Sequence, residues 1–159
     1  MSDYTIRKAT PADLPALGRL GALLMRVHYD FDRNRFLPPG DDAAGGYSWF
    51  LGTQLGRDDT LVLVAERDDQ ILGYVYAAIE PRNWKELRDE AGFVHDVVVD
   101  EGGRRTGVAT ALMDAAVEWF RSRGMPRVVL WTASPNRNAQ DLFTRLGFRP
   151  TMVEMTREL

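Results

Sequence analysis

The sequence contains no cysteine, which excludes disulfide bonds, a thiol nucleophile and thiolate metal sites. It has two histidines, His28 and His95, and they lack the His-x-x-x-His spacing of a helical metal site, so we predict no bound metal. No apolar run approaches the roughly 18 residues that a membrane-spanning helix needs, and the N-terminus has no signal-peptide pattern. We therefore expect a protein that does not act at a membrane, with the cytoplasm as its default location.

Charge and length further narrow the class of protein. The 20 Lys and Arg residues oppose 23 Asp and Glu residues, and the net charge of −3 predicts no general affinity for nucleic acid or acidic membranes. Hydrophobic residues make up 45% and charged residues 27% of the 159 positions, as is usual for globular domains. The chain shows no internal repeat, low-complexity tract or linker, so we predict one domain over residues 1–159.

Residues 97–110, VVVDEGGRRTGVAT, join a short β-branched run to a helix through a polar loop. A strand–loop–helix junction aims backbone N–H groups at one point, where an anion can bind. The helix dipole favours negative charge there by about 0.3–1 kcal/mol. Arg104 and Arg105 can pair with phosphate, and Gly107 lets a ligand approach the backbone closely. The segment therefore predicts a phosphate-binding loop.

The type of phosphate site follows from what this loop lacks. Gly102 and Gly107 have the separation of P-loop glycines, but Val108 and Ala109 stand where Lys and then Ser or Thr would be required. The dinucleotide fingerprint GxGxxG is also absent. Nucleoside triphosphate chemistry is therefore disfavoured, and a nucleotide-binding regulatory domain is the weakest of the functional hypotheses.

The pattern that fits is Arg/Gln-x-x-Gly-x-Gly/Ala, which residues 104–109 match five residues after Val99. It resembles motif A of the GNAT superfamily of acetyl-CoA-dependent N-acetyltransferases. Residues 136–148, NRNAQDLFTRLGF, resemble the second signature of that family, in which an Asn precedes a helix that ends in an aromatic residue and then Gly-Phe. The resemblance implies acetyl-CoA as cosubstrate and no metal. It places the CoA pyrophosphate against Arg104, Arg105, Thr106, Gly107, Val108, Ala109 and Thr110.

Apolar periodicity predicts the element order β-α-α-β-β-β-α-β-α-β. This is the order of the GNAT α/β (α+β) fold, a mixed central β-sheet flanked by helices. The predicted strands are residues 4–8, 60–66, 71–79, 93–99, 128–131 and 151–158. The predicted helices run from Thr10 to about His28, over residues 47–54, from Gly107 to Gly124 and over residues 136–146.

The implied chemistry is attack of an amine on the acetyl thioester, with CoA thiolate as the leaving group. A lysine-like amine has a pKa of about 10.4, so its reactive form costs about 4–5 kcal/mol near pH 7, and a base is useful. The candidates are His95 and Asp96. An imidazole titrates near 6.5, whereas a carboxyl group, near 3.9, needs burial to raise its pKa. Strand neighbours point to opposite faces unless a bulge intervenes, so we expect one of the two, with His95 preferred, to face the acceptor.

Each candidate base also has a simpler interpretation, in which it is not the catalytic base. His95 would then be a hydrogen-bonded histidine of the sheet. Asp96 would be a structural or substrate-binding carboxylate.

The resemblance assigns further residues. A backbone N–H near Val97 or Val98 would bind the oxyanion, and the pantetheine arm would pair with the strand edge through Val97 and Val99. Asn136 would hydrogen-bond the pantetheine or acetyl arm, although it also suits a helix N-cap. Phe143 stands where many members have a tyrosine that protonates the thiolate. Phenylalanine has no proton to donate, so it would contact the pantetheine or fill the core.

Residues 26–46 are the least regular part of the chain. They form either a surface connection or one wall of the acceptor site, in which Asp30 and Asp32 would favour a cationic amine.

The leading hypothesis is an N-acetyltransferase for a primary amine of a small molecule, peptide or protein. The alternative, suggested by Phe143, is a catalytically silent acyl-CoA-binding module. The acceptor stays open, and a homodimer is an expectation from the family alone.

Overall fold

The structure, a computed structural model, describes residues 3–159 and contains a five-stranded sheet in the order β1-β2-β3-β4-β5. Strands β1 to β4 run antiparallel to their neighbours, and β5 runs parallel to β4. The strands are β1 (Thr5–Lys8), β2 (Thr60–Arg67), β3 (Gln70–Glu80), β4 (Ala91–Val99) and β5 (Val128–Leu130). The helices are α1 (Leu14–Phe31), α2 (Ala43–Gln54), α3 (Val108–Ser122) and α4 (Arg137–Arg145). The predicted mixed sheet flanked by helices is confirmed.

Helices cover both faces of the sheet, and the side chains of each strand alternate between two cores. Tyr74 and Tyr76 of β3 point to the face covered by α1 and α2, where they join Leu17, Leu20 and Leu51. Val75 and Ala77 point to the other face, against Val108, Leu112, Met113 and Phe120 of α3 and Phe143 of α4. Within residues 3–159, no helix combines the length and the apolarity needed to cross a bilayer.

A β-bulge interrupts the pairing of β3 with β4. Tyr76 pairs with Asp96, but the next residue of β3, Ala77, pairs with Val94, so His95 is an extra residue in β4. A bulge of this kind shifts the alternation of the bulged strand by one position. Two consecutive side chains of β4 can therefore point to the same face of the sheet.

Strands β4 and β5 separate soon after they meet. They pair only from Gly92 to Val94, against Val128 to Leu130. Among residues 3–159, no strand lies beside the rest of β4, from His95 to Val99, on the β5 side. This open edge leads directly towards the loop that precedes α3.

A charged cluster fixes the start of α1. The Arg7 guanidinium donates to both carboxylate oxygens of buried Asp13, at 2.8 and 2.9 Å, and its Nε donates to Glu66. Asp13 also accepts from the Thr10 N–H in a capping box. The cluster ties β1, β2 and the first turn of the helical segment together.

The prediction of a last strand over residues 151–158 is wrong. These residues form no strand, their side chains are exposed, and no backbone N–H of residues 149–159 donates to another described backbone group. A strand requires a neighbouring edge as well as an alternating sequence, and β5 has only three residues. The carboxylate of Glu154 instead pairs with the Arg35 guanidinium, with an Nη2 to Oε1 distance of 2.8 Å.

Candidate active site

A cleft of about 340 Å³ opens where β4 and β5 separate. Its walls come from α1, α2 and their connection, from β4, from the end of β5 and from α4. The cleft brings together five of the predicted site residues, namely His95, Asp96, Val97, Asn136 and Phe143. The cleft therefore brings Asn136 and Phe143 of the second signature beside β4, the strand that leads to the first signature at residues 104–109.

His95 is held in a fixed orientation within the sheet. Its ring is stacked between Phe93 and Tyr76, with centroid distances of 4.6 and 5.1 Å. Its Nε2 lies 2.8 Å from a carboxylate oxygen of Glu80, the last residue of β3. Because the carboxylate accepts, Nε2 carries the proton and Nδ1 keeps its lone pair in the neutral ring. This hydrogen-bonded, stacked imidazole retains one nitrogen that can accept a proton.

Asp96 lies on the same face of the sheet as His95. The Tyr74 hydroxyl donates to one carboxylate oxygen of Asp96 at 2.9 Å, and Tyr74 points towards α1 and α2. The expectation that only one of the two candidates would face the acceptor is therefore wrong, because the bulge at His95 shifts the alternation. Burial raises the pKa of the Asp96 carboxyl above its ordinary value, as a general base in this position would require.

The loop before α3 presents a row of free backbone donors. Within residues 3–159, no N–H from Arg105 to Thr110 donates to a described acceptor. Gly107 is the N-cap of α3 and has a φ of 83°, a left-handed conformation that suits glycine. These amides are therefore available to anionic oxygen atoms at the positive end of a helix.

The side chains of the loop agree with this arrangement. Arg104 and Arg105 are exposed and make no ion pair with the described part of the chain. The Thr106 hydroxyl donates to the Gly103 carbonyl, which fixes the turn. Val108 is fully buried, so only its backbone N–H faces the loop. Residues 104–110 thus fit the pyrophosphate of CoA through two guanidinium groups and a series of amides.

The strand residues expected to contact the cosubstrate lie on the open part of β4. Val97 lines the cleft, whereas the Val98 side chain is buried against α1 and α2. Val97, Val98 and Val99 pair with β3 on one side, and the described part of the chain gives them no strand partner on the other. Their open side is available for an extended ligand that runs from the cleft to the loop.

Asn136 and Phe143 each have a structural role, and both also line the cleft. The Asn136 Oδ1 accepts from the Ala139 N–H at 3.2 Å and so caps α4, but the residue also lines the cleft. Capping uses only the carbonyl oxygen and leaves the Asn136 amide group as a donor. Phe143 is 7% exposed, contacts Phe148 edge to face and forms part of the cleft floor.

The connection between α1 and α2 forms a wall of the cleft through Arg35, Phe36 and Leu37. The carboxylates proposed to act there do not line the cleft. Asp30 lies 3.5 Å from Arg33, and Asp32 accepts from the Asn34 and Arg35 N–H groups. Asp30, in the last turn of α1, and Asp32, just after it, are thus used by groups near them in the chain.

Four residues around the cleft were missed by the sequence interpretation: Glu80, Tyr74, Tyr47 and His28. Tyr74 and Tyr76 are two residues apart in a strand, and this spacing places them on the same face. No pattern in the sequence pairs Glu80 with His95, because that contact depends on the register of β3 and β4.

The family model for the acetyltransferase (GNAT) family matches residues 24–148, which is most of the chain and includes both signatures. The chain belongs to the GNAT acetyltransferase family. An uncharacterized N-acetyltransferase of Methanocaldococcus jannaschii is 28% identical over 152 residues, which cover 94% of this GNAT chain but only 62% of the relative. The chain thus spans less than two thirds of that protein.

Solved structures share the GNAT fold. A Bacillus halodurans protein superposes with a TM-score of 0.84 at 19% identity, covering 98% of this chain and 99% of that one. An aminoglycoside N-acetyltransferase solved in complex with CoA superposes with a TM-score of 0.78 at 20% identity, covering 100% and 96%. At these identities the likeness extends to the fold and not to the acceptor.

Proposed function

We propose that this chain transfers the acetyl group of acetyl-CoA to a primary amine by direct attack in a ternary complex. The observation that carries the proposal is the bulge in β4. It brings His95 and Asp96 to one face of the sheet, in a cleft on β4, and the same strand leads on to the loop whose amides precede α3. Family membership supports acetyl transfer, and the arrangement of the residues supports an amine acceptor.

His95 is the proposed base. Nδ1 takes the proton that the amine loses, while Glu80 holds the Nε2–H and stabilises the imidazolium that forms. The nitrogen lone pair then forms the new C–N bond, and the bond between the acetyl carbon and the sulfur of CoA breaks. Without Tyr at position 143, the thiol sulfur leaves as thiolate, which near pH 7 costs about 2 kcal/mol for a thiol of pKa about 8.5.

The remaining residues bind and orient the cosubstrate and the acceptor. The N–H groups from Arg105 to Thr110, with Arg104 and Arg105, hold the pyrophosphate, and the open edge of β4 pairs with the pantetheine arm. The backbone N–H at Val97 or Val98 is the proposed donor to the oxyanion. Asp96 attracts a cationic acceptor into the cleft, next to His95.

The test is acetyl-CoA-dependent thiol release across a panel of primary amines, followed with a thiol reagent. The protein contains no cysteine, so it contributes no background signal. Amine-dependent release supports the transferase. Tight acetyl-CoA binding without release by any amine would contradict it and favour the silent acyl-CoA-binding module that Phe143 in place of tyrosine suggests.

A further inference from the structure

Both histidines of the sequence line the same cleft, but only His95 has a place in the proposed reaction. His28 lies in the last turns of α1, 67 residues before His95 in the sequence, on the opposite wall. Its Nδ1 lies 2.8 Å from the Leu24 carbonyl oxygen, which can only accept. Nδ1 therefore carries the proton, and Nε2 is left with a free lone pair.

The His28 ring has little freedom to turn. Phe31 and Phe36 contact it edge to face, with centroid distances of 5.8 and 5.1 Å. Contacts on two sides and one backbone hydrogen bond keep a polar ring at the cleft wall, where Leu24 and Met25 are its apolar neighbours. A histidine held in this way is an oriented hydrogen-bond acceptor.

Asp96, an acceptor, and Tyr47, whose hydroxyl can both donate and accept, lie with His28 on the cleft wall. Asp96 of β4 and His28 of α1 line the same cleft from facing walls. Tyr47 lines the same wall, and burial, with the Asp96 charge, raises the pKa of its hydroxyl to about 12. A Cβ at Gly21 would collide with the Tyr47 ring, so the close approach of α1 to α2 is built around this tyrosine.

No cation within residues 3–159 balances the Asp96 carboxylate. Its one described hydrogen bond comes from the Tyr74 hydroxyl and uses one of its two oxygens. The nearest guanidinium on the cleft wall, that of Arg35, is paired with Glu154. A half-satisfied carboxylate in the same cleft as the lone pair of His28 Nε2 favours a ligand that brings its own donors.

We propose that His28, Tyr47 and Asp96 form a subsite for a second hydrogen-bond donor of the acceptor, a hydroxyl or ammonium group near the reacting amine. This inference rests on the proposed function and specifies the acceptor class. Amino alcohols and diamines bind with the second group at this subsite and the reacting amine at His95. A simple alkylamine leaves the His28 Nε2 and the second Asp96 oxygen unpaired and is disfavoured, because a site built to pair with a polar group rejects an analogue without it.

The test uses three acceptors of one shape, n-butylamine, 3-aminopropan-1-ol and 1,3-diaminopropane, which differ only in a terminal methyl, hydroxyl or ammonium group. For the wild-type protein, we expect kcat/KM for the two bifunctional amines to exceed that for n-butylamine by at least about tenfold. His28→Phe keeps the aromatic contacts with Phe31 and Phe36 and should remove most of this preference. His28→Gln, which restores an acceptor, should recover part of it.

Equal kcat/KM for the three amines, or a preference unchanged in His28→Phe, would overturn the subsite while leaving the transferase intact. Absence of thiol release with every amine would instead count against the proposed function. In that case, the 15N signals of the two imidazoles decide whether the subsite exists. A shift of the His28 signal on addition of 3-aminopropan-1-ol, absent with n-butylamine, supports it, and no shift refutes it.

Discussion

The Nε2 of His95 and the carboxylate of Glu80 lie 2.8 Å apart, on adjacent strands. Both side chains are about one third exposed, so the pair meets solvent as well as the cleft wall. The interaction selects the neutral tautomer in which Nδ1 can accept a proton, and it places negative charge beside the imidazolium that follows. Glu80 is therefore a positioning residue for the proposed base.

Glu80→Gln should lower kcat by about tenfold near neutral pH, because the variant can still accept from Nε2–H but no longer stabilises the imidazolium. We expect the KM for acetyl-CoA to stay unchanged and the pH–rate profile to move, which a purely structural role for Glu80 would not cause. Glu118→Gln, which breaks a surface pair with Arg121 on α3, is the matched control. Equal kcat in both variants would remove Glu80 from this role.

His95→Gln should reduce kcat by about 100-fold or more at neutral pH, because glutamine cannot accept the proton of the amine. Acetyl-CoA affinity, measured by calorimetry, should be retained because the loop at residues 104–110 is untouched. A variant with the wild-type pH–rate profile would show that His95 is only the hydrogen-bonded histidine of the sheet. Asp96 would then become the candidate base.

Gly107→Val and Gly124→Val form a matched pair at the two ends of α3. Both glycines have a positive φ, 83° and 74°, so either substitution should destabilise the fold by about 1–2 kcal/mol. Only Gly107 adjoins the free amides, so only Gly107→Val should also weaken acetyl-CoA binding. We expect its Kd to rise by tenfold or more, which corresponds to about 1.4 kcal/mol of binding free energy per factor of ten. Comparable affinity losses in both variants would mean that the loop is misassigned.

Asp96→Asn should raise the melting temperature at pH 7 while it lowers activity. Because burial raises the pKa of Asp96, the folded state binds this proton more tightly than the unfolded state. That contribution to stability is present at low pH and is lost as the pH rises through the folded-state pKa. Asparagine avoids the loss, so the advantage of the variant should disappear in acid. A lower melting temperature at pH 7 would contradict the prediction.

Asp13→Asn is a control for which the change in stability at pH 7 should have the opposite sign to that of Asp96→Asn. The Arg7 hydrogen bonds hold the pKa of Asp13 below its usual 3.8, so this carboxylate stabilises the fold above that pH and less as the pH falls through its folded value. The substitution should therefore destabilise the protein at pH 7, by about 1–3 kcal/mol for a lost charged hydrogen bond, and the difference should shrink in acid.

Much of this architecture follows from local sequence. Residues 97–110 predict strand, loop and helix because β-branched residues, glycines and an amphipathic run follow one another in a short distance. The structure places α3 from Val108, with Gly107 at its N-cap. Asn136 and Gly147 likewise mark the two ends of α4, where Gly147 has a φ of 91°.

The predictions that were wrong or incomplete concern pairing between segments that are distant in the sequence. The bulge at His95 is a difference in residue count between two strands, and neither strand records that difference in its own sequence. Glu80 reaches His95 only through that register. Residues 151–158 alternate like a strand, but alternation specifies a face and does not provide the neighbouring edge.

The extra residue in β4 has a consequence for insertions and deletions. Because one surplus residue turns His95 and Asp96 to the same side, removing a residue from β4 would restore regular alternation and direct them to opposite sides. Every side chain named in the proposed reaction would still be in the chain, yet the two would no longer face one acceptor. The site is therefore encoded by the length of a strand as well as by its composition, and scanning substitutions alone would not detect that requirement.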